Sequence, residues 1–236
     1  MSGYSFDWTV ITSGKYALWL FEGLKVTLQL SSVSIILAFA IGVLVAVARM
    51  SHHGVFRLGS MAYLEFIRNT PLLVQIFFWY FGSYKILPAA FNDWLNTTGD
   101  FEFWAAAAGL AIYTSAFIAE DIRSGVRAVP KTQMEAAVSS GFSYLGAMRH
   151  VILPQAVRIS VPPLIGQFLN LMKNSSLAMT IGVAELSYQA RQVESETLKG
   201  FEAFTAATLI YLALSLMISA AMNVYRKKYL MAGRHA

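Results

Sequence analysis

Long runs of apolar residues, separated by short polar segments, are the dominant pattern along this chain. Two of these runs, 26–48 and 203–225, each contain 23 residues without a charged side chain. At about 1.5 Å of rise per residue, a helix of that length crosses a hydrocarbon core about 30 Å thick. The sequence therefore predicts a membrane-spanning helix at each position.

Three further apolar segments complete a prediction of five transmembrane helices. Residues 103–121 form the third predicted span. Residues 159–184 form the fourth, and the polar residues Asn170, Lys173, Asn174 and Ser175 lie in its second half. The fold class predicted from this pattern is an all-α integral membrane protein.

The second predicted span, 61–81, begins with charged residues. Glu65 and Arg68 are three positions apart, so a helix places them on one face, where we expect a structural ion pair. Pro71 follows and is expected to bend the helix or to start its fully apolar part.

Short segments flank these spans at both ends. Residues 1–22 mix aromatic side chains with Lys15 and Glu22, which is typical of an amphipathic segment at a membrane interface. They lack the basic start and cleavage site of a secretory signal peptide, so the first span is expected to remain. The membrane domain is predicted at 23–225, with a polar loop at 122–158 and a basic tail at 226–236.

Composition agrees with a protein that is partly solvated by lipid. Hydrophobic residues make up 56% of the chain and charged residues 13%, against about a quarter charged in soluble domains. The chain has no cysteine, which excludes disulfides and thiolate sites.

The net charge of +5 is explained by topology rather than by nucleic acid. Twelve of the 18 Lys and Arg residues lie in 49–68, 123–158 and the C-terminal segment, and Lys173 lies within a span. The positive-inside rule then places the N-terminus outside and the C-terminus in the cytoplasm.

The motifs of several catalytic classes are absent. The sequence has no GxxxxGK[ST], HExxH or GxSxG, so a phosphate-binding loop and two hydrolytic sites are excluded. The four histidines accompany no carboxylate cluster, and we expect neither a catalytic nor a metal site.

The stretch Glu135–Pro154 predicts a small helical hairpin in the cytoplasmic loop. Glu135, Ala136 and Ala137 can start a short helix with little bulk, and Gly141 permits a sharp turn. Pro154 marks the start of the next element. Such a hairpin offers a compact surface to a partner.

The same stretch resembles the EAA loop of ATP-binding-cassette (ABC) importer permeases. The pattern is EAA, three residues, G, nine residues, then I-x-L-P, and here Val151 replaces the isoleucine. The resemblance covers roughly 23–225. EFIRNTPLLVQIFFWY, ILPQAVRISVPPL and LNLMKNSSLAMTIGVAEL resemble the branch that imports polar amino acids, and MKNSSLAMTIGVAELSYQA and FEAFTAATLIY are most similar to glutamate/aspartate permeases.

The resemblance implies a type I importer transmembrane domain in a bacterial inner membrane. Its partners would be two ATPase subunits, a second identical or related permease and a periplasmic amino-acid-binding protein. ATP and Mg would be bound by the ATPase, and this chain would bind no cofactor. The coupling residues implied by position are Glu135, Ala136, Ala137, Gly141, Val151, Leu153 and Pro154.

Lys173 has two interpretations, because a lysine within a membrane span is costly unless it is paired or hydrated. It could contact a substrate carboxylate together with Asn170, Asn174 and Ser175, or it could form a structural pair or extend to the interface. Two other functions compete with ATP-driven import. A gradient-driven secondary amino-acid transporter is disfavoured by the lack of an inverted repeat. A membrane enzyme is disfavoured by the lack of a catalytic constellation, and an assembly scaffold by the polar belt within the membrane, for which it has no obvious use.

Overall fold

The computed structural model describes residues 4–98 and 100–225, and every regular element in these ranges is helical. The all-α fold is thereby confirmed, whereas the tail predicted at 226–236 lies outside the described residues. The helices are α1 Thr9–Thr12, α2 Gly14–Met50, α3 Gly54–Arg68, α4 Leu72–Ile86, α5 Ala89–Thr98, α6 Phe101–Ala128, α7 Lys131–Ser139, α8 Tyr144–Ala147, a π-helical turn Met148–Ile152, α9 Leu153–Asn174, a 3-10 segment Ser175–Ile181, α10 Leu186–Thr197 and α11 Gly200–Tyr225.

Three helices in the described part of the chain are long and apolar enough to cross a membrane: α2, α6 and α11. They coincide with the first, third and fifth predicted spans. Helix α2 begins at Gly14, twelve residues before the first predicted span, so it includes residues 14–22 of the segment predicted to lie at the interface. No charged residue interrupts the first or fifth run, which explains why hydropathy locates them.

The second predicted span is not a single helix. Helix α3 ends at Arg68 and α4 begins at Leu72. Pro71 has extended backbone angles, φ −63° and ψ 137°, and has no N–H to continue the hydrogen-bond ladder. The apolar part that follows, Leu72–Ser83, is a short apolar helix.

The fourth predicted span also changes conformation along its length. Helix α9 continues through Pro162 and Pro163 and gives way to the 3-10 segment after Asn174. The hydroxyls of Ser175 and Ser176 donate to carbonyls three residues earlier, at 2.7 and 2.8 Å, which accompanies the tighter winding. The polar belt therefore lies at this transition.

The chain forms two compact units, and α2, α6, α9 and α11 each contribute residues to both. The described residues of the first unit fall within 4–36, 71–110 and 169–219, and those of the second within 37–70, 111–168 and 220–225.

Small residues allow close helix packing within the first unit. Its core cluster consists mostly of alanines on α10 and α11 with Leu20 of α2 and Leu186 of α10. A Cβ on Gly23 would lie 2.9 Å from the Cα of Leu186, so the backbones of α2 and α10 approach directly. Packing of small residues is the usual source of helix association in membranes.

Glu185 is fully buried in the first unit and precedes α10. Its carboxylate accepts hydrogen bonds from the Tyr188 N–H at 2.8 Å and the Tyr211 hydroxyl at 2.7 Å. Thr27 of α2 accepts from the Leu186 N–H at 3.1 Å. These bonds attach the start of α10 to α2 and α11.

We expect Tyr211→Phe to lower the stability of the protein by about 1–3 kcal/mol, because the buried Glu185 carboxylate loses a donor that water cannot replace. Thermal unfolding of the purified protein in detergent measures the change. Tyr188→Phe is the matched control, since only its backbone N–H contacts Glu185. Equal melting temperatures for the two variants would contradict this role of the Tyr211 hydroxyl.

The second unit has a similar core of small and branched residues. Ala46, Leu64, Ile67, Ala116 and Ala119 form one cluster. The Tyr63 hydroxyl lies 2.6 Å from the Ser115 hydroxyl and joins α3 to α6.

Candidate functional site

The cytoplasmic loop predicted at 122–158 contains a helical hairpin in the second unit, residues 131–152, which we call the 131–152 hairpin. Its first helix, α7, is followed after Ser140 by a left-handed residue, Gly141, with φ +91°. The Phe142 N–H donates to the Ala137 carbonyl at 3.1 Å, and the Gly141 N–H donates to the Val138 carbonyl at 2.9 Å. This pair of bonds is a Schellman motif, which satisfies the last carbonyls of a helix and requires a residue that tolerates positive φ. The turn predicted at Gly141 is thus confirmed.

The return arm of the hairpin winds more loosely than an α-helix. The Ser143 hydroxyl caps α8 by accepting from the Gly146 N–H at 3.1 Å. A π-helical turn follows, in which the Leu153 N–H donates to the Met148 carbonyl five residues back. Pro154 has no N–H for an ordinary helical bond to His150, which favours this wider turn. Helix α9 then begins at Leu153.

The base of the hairpin packs on a small apolar cluster. Buried Val129, Ile152 and Ala156 form this cluster, and the half-buried Met148 and Val151 cover it. The hairpin is therefore held against the ends of α6 and α9 in the same unit.

The predicted coupling residues divide between the surface and this packed base. Ala137 is buried at 6% exposure, and Val151 is half-buried. The exposed members are Glu135, Ala136, Gly141, Leu153 and Pro154. Ala137 and Val151 therefore shape the hairpin, whereas the five exposed residues can reach a partner.

The tip of the hairpin exposes large apolar side chains that the motif does not include. Val138, Phe142, Tyr144 and Leu145 are all exposed, and Leu145 is the most exposed at 78%. They lie on the same hairpin as the exposed Glu135, and large exposed apolar groups typically mark an interaction site. Phe142 and Leu145 are three positions apart in the sequence, a helical spacing that does not itself show which side faces outward.

The predicted pathway residues lie at the end of α9 and the start of the 3-10 segment, in the first unit. Asn170 and Lys173 are both exposed and three residues apart, so they share one face of α9. Asn174 is half-buried, and Ser175 is fully buried with its hydroxyl on the Met172 carbonyl. The structure thus brings Asn170 and Lys173 together and turns Ser175 inward.

The ion pair predicted between Glu65 and Arg68 does not form. Glu65 instead accepts from the Asn69 amide at 3.1 Å, and the Arg68 guanidinium lies 5.6 Å from the centre of the Phe117 ring. Helical spacing makes the pair possible, but both side chains have other partners nearby.

Polar residues near the end of α6 form a cluster that the sequence did not single out. Arg123 forms a salt bridge with Glu120 one turn earlier. The Gln167 amide of α9 donates to the Asp121 carboxylate at 2.8 Å, and the Ser160 hydroxyl donates to the Asp121 carbonyl at 3.3 Å. The three-residue spacing of Glu120 and Arg123 is a sequence signal from which this salt bridge could have been predicted. The contact between Asp121 and Gln167 joins residues 46 positions apart, so no local pattern indicates it.

A cavity of about 380 Å³ lies within the first unit. Two carboxylates, Asp100 and Glu102, contribute to its wall, as do Val26, Gln29, Phe103 and residues 182–184. None of the predicted pathway residues lines it. Within the described ranges, no three His, Asp or Glu side chains are grouped in a way that could hold a metal ion.

Comparison with known proteins gives consistent matches over nearly the whole chain. Residues 38–230 match the model of the family described as binding-protein-dependent transport system inner membrane component. The chain is 45% identical over 207 residues to the probable glutamine ABC transporter permease protein GlnM of Bacillus subtilis (strain 168), covering 88% of this chain and 91% of the relative. It is 32% identical over 222 residues to the glutamate/aspartate import permease protein GltJ of Escherichia coli (strain K12), covering 92% and 90%.

Solved structures agree with these sequence matches. A crystal structure described as an amino acid ABC transporter with histidines superposes with a TM-score of 0.84 at 32% identity, covering 95% of this chain and 100% of the other. An inward-facing structure of the MetNI methionine ABC transporter matches with a TM-score of 0.73 over 92% of this chain and 99% of the other. At 18% identity, the second match supports the fold alone.

Proposed function

The chain belongs to the family of binding-protein-dependent transport system inner membrane components, and we propose that its 131–152 hairpin couples it to a separate ATPase. It is a multi-pass membrane permease of the amino-acid ABC importer class. The hairpin carries the proposal, because it presents an exposed carboxylate and apolar side chains from a backbone that is packed at its base.

Coupling by the hairpin follows from how it is built. Glu135 offers a carboxylate to a basic group of the ATPase, and a charge-assisted hydrogen bond there is stronger than a neutral one. The small side chain of Ala136 and the absence of one at Gly141 allow close approach. Closure of two ATPase subunits on ATP would move both hairpins and rock the attached helices between inward-open and outward-open states. The ATPase, not this chain, would bind ATP and Mg.

The proposed assembly contains two permeases, identical or related, two ATPase subunits and a periplasmic amino-acid-binding protein. Family membership supports this set of partners. The bias of Lys and Arg supports an orientation with the N-terminus in the periplasm and the hairpin in the cytoplasm.

We propose a polar amino acid of the glutamine, glutamate and aspartate group as the substrate. Two relatives, a probable glutamine permease and a glutamate/aspartate permease, support this group without separating its members. The resemblance of residues 172–190 favours glutamate and aspartate, whereas the 45% identical relative favours glutamine. Ligand binding by the cognate receptor protein would identify the substrate directly.

Lys173→Met tests the proposed pathway. If the exposed Lys173 ammonium contacts a substrate carboxylate, its loss is expected to reduce the rate of uptake about tenfold or more, since a charge-assisted hydrogen bond contributes about 1.5–3 kcal/mol. Uptake of radiolabelled substrate in proteoliposomes measures the effect. Lys199→Met is a control, because that lysine bonds to the N-terminal segment instead. Unchanged affinity and rate in Lys173→Met would remove this residue from the pathway.

The proposed function is tested by reconstituting the chain in proteoliposomes. We expect uptake only when the ATPase, the binding protein and ATP are all present. A gradient-driven secondary transporter is the competing function, and it would accumulate substrate with a proton or sodium gradient and no ATPase. Uptake under those conditions would overturn the proposal.

A further inference from the structure

Four exposed aromatic rings form one cluster where the first and last long helices of the chain begin. We call Tyr4, Phe6, Trp8 and Phe201 the aromatic patch. Phe6 lies 5.1 Å from Tyr4 and 5.5 Å from Phe201 between ring centres, and Trp8 lies 6.0 Å from Phe201. The four side chains are between 44% and 62% exposed. They lie in the first unit, next to the starts of α2 and α11.

The backbone that presents the aromatic patch is fixed by polar contacts. The Asp7 N–H donates to Glu202 of α11 at 2.8 Å, and the Tyr4 hydroxyl donates to the same carboxylate. The Lys199 ammonium donates to the Ser5 carbonyl. The rings are thus exposed on an attached segment rather than on a free end.

The opposite side of this segment is apolar and covered. Val10 and Ile11 pack against the core cluster of α2, α10 and α11. The N-terminal segment therefore packs aliphatic residues against the protein and leaves the rings of Phe6 and Trp8 exposed.

Helix α11 exposes further apolar residues on the side that carries Phe201. Leu212 and Leu216 follow Phe201 by 11 and 15 residues, which corresponds to the same side of a helix, and they are 50% and 59% exposed. Helix α11 is one of the helices long and apolar enough to cross a membrane. If the exposed leucines of α11 face the hydrocarbon core, the aromatic patch at the start of α11 lies at the level of the lipid headgroups.

The charges around the patch leave no positive surplus. Lys15 forms a salt bridge with Glu196 at 2.6 Å and lowers the pKa of that carboxyl by direct hydrogen bonding. Lys199 adds one positive charge, whereas Asp7 and Glu202 add two negative charges. Two lysines against three carboxylates give a net charge of −1, so attraction to anionic lipid is not expected.

We propose that the aromatic patch binds phospholipid at the boundary between headgroups and acyl chains, and that it does so regardless of headgroup charge. Tyr and Trp favour this level because one end of the ring system is apolar and the other can hydrogen-bond to water or ester groups. The patch fixes the depth at which α2 and α11 begin. This inference depends on the membrane-spanning helices and not on the coupling to an ATPase.

The absence of cysteine from the chain makes a direct test possible. A nitroxide on Phe6→Cys, in full-length protein in phosphatidylcholine nanodiscs, reports depth through its relative accessibility to oxygen and to a water-soluble nickel chelate. We expect greater accessibility to oxygen than to nickel, at a shallow depth, and the same value when phosphatidylglycerol is added. Ser195→Cys, exposed on α10, is the water-facing control.

Three results would overturn the proposal. Nickel accessibility at residue 6 equal to that at residue 195 would place the patch in water. Protection from both reagents would show that protein, such as a second permease copy, covers it. A depth that changes with phosphatidylglycerol would show that charge governs the contact. Phe201→Cys gives an independent reading on α11 if the label at residue 6 disturbs the N-terminal segment.

Discussion

Gly141→Asp is expected to reduce substrate uptake to background while the permease stays in the membrane at normal abundance. No atom lies within 4 Å of the position that a Cβ would take at Gly141, and aspartate is among the residues that tolerate positive φ best, so the free protein can fold with it there. The new carboxylate would lie in the proposed docking surface, close in sequence to Glu135. Burying a charge without a partner costs about 3–5 kcal/mol, which corresponds to a loss of docking of more than a hundredfold.

Gly141→Asn is the matched control for charge, because asparagine has nearly the same shape and tolerates positive φ. We expect it to retain most of the uptake. Gly141→Val tests the backbone separately, since a β-branched residue at φ +91° is strained. Normal uptake by Gly141→Asp, measured at normal abundance in isolated membranes, would contradict docking at this hairpin.

Among Gly→Ala substitutions at the helical glycines of the second unit, Gly125→Ala is expected to be the most destabilising. A Cβ at Gly125 would lie 1.9 Å from the Ser160 hydroxyl oxygen and 2.9 Å from the Ala156 carbonyl oxygen. Ser160 can rotate away, but the carbonyl belongs to the backbone of α9, so α6 and α9 must separate. Overpacking of this kind costs about 1–3 kcal/mol.

Gly166→Ala provides the control for Gly125→Ala, because Gly166 also lies in a helix and has no neighbour within 4 Å of its Cβ position. Alanine has the higher helix propensity, so this variant is expected to be neutral or slightly more stable. Melting temperature in detergent and abundance in the membrane distinguish the two variants. Equal melting temperatures for the Gly125→Ala and Gly166→Ala proteins would contradict the close approach of α6 and α9.

The sequence predicted the all-α fold and the first, third and fifth spans because their apolar runs are long and unbroken. It could not predict the shape of the second and fourth spans, since hydropathy measures the polarity of a segment and not its backbone conformation. Pro71 was recognised as a position of change, but whether a proline bends, starts or separates a helix depends on its surroundings. The 3-10 winding after Asn174 likewise depends on local hydroxyl contacts.

The hairpin was predictable for a physical reason: only glycine adopts positive φ without cost, so Gly141 between two helical stretches indicates a turn. The division of its residues into exposed and buried was not predictable, because it depends on tertiary packing, such as that of Val151 against Val129 and Ala156. Contacts between distant residues, such as Asp121 with Gln167, leave no local pattern. The ion pair between Glu65 and Arg68 was predicted from their spacing and is absent. Glu65 instead contacts Asn69, and Arg68 contacts the ring of Phe117.

Photo-crosslinking from the tip of the hairpin tests the central claim most directly. A photoreactive amino acid at Leu145, which is 78% exposed, would be irradiated in membranes that contain the complete transporter. We expect a covalent product with an ATPase subunit from residue 145 and none from Leu216 on the exposed face of α11. Transport-competent membranes in which residue 145 yields no product with the ATPase would contradict it.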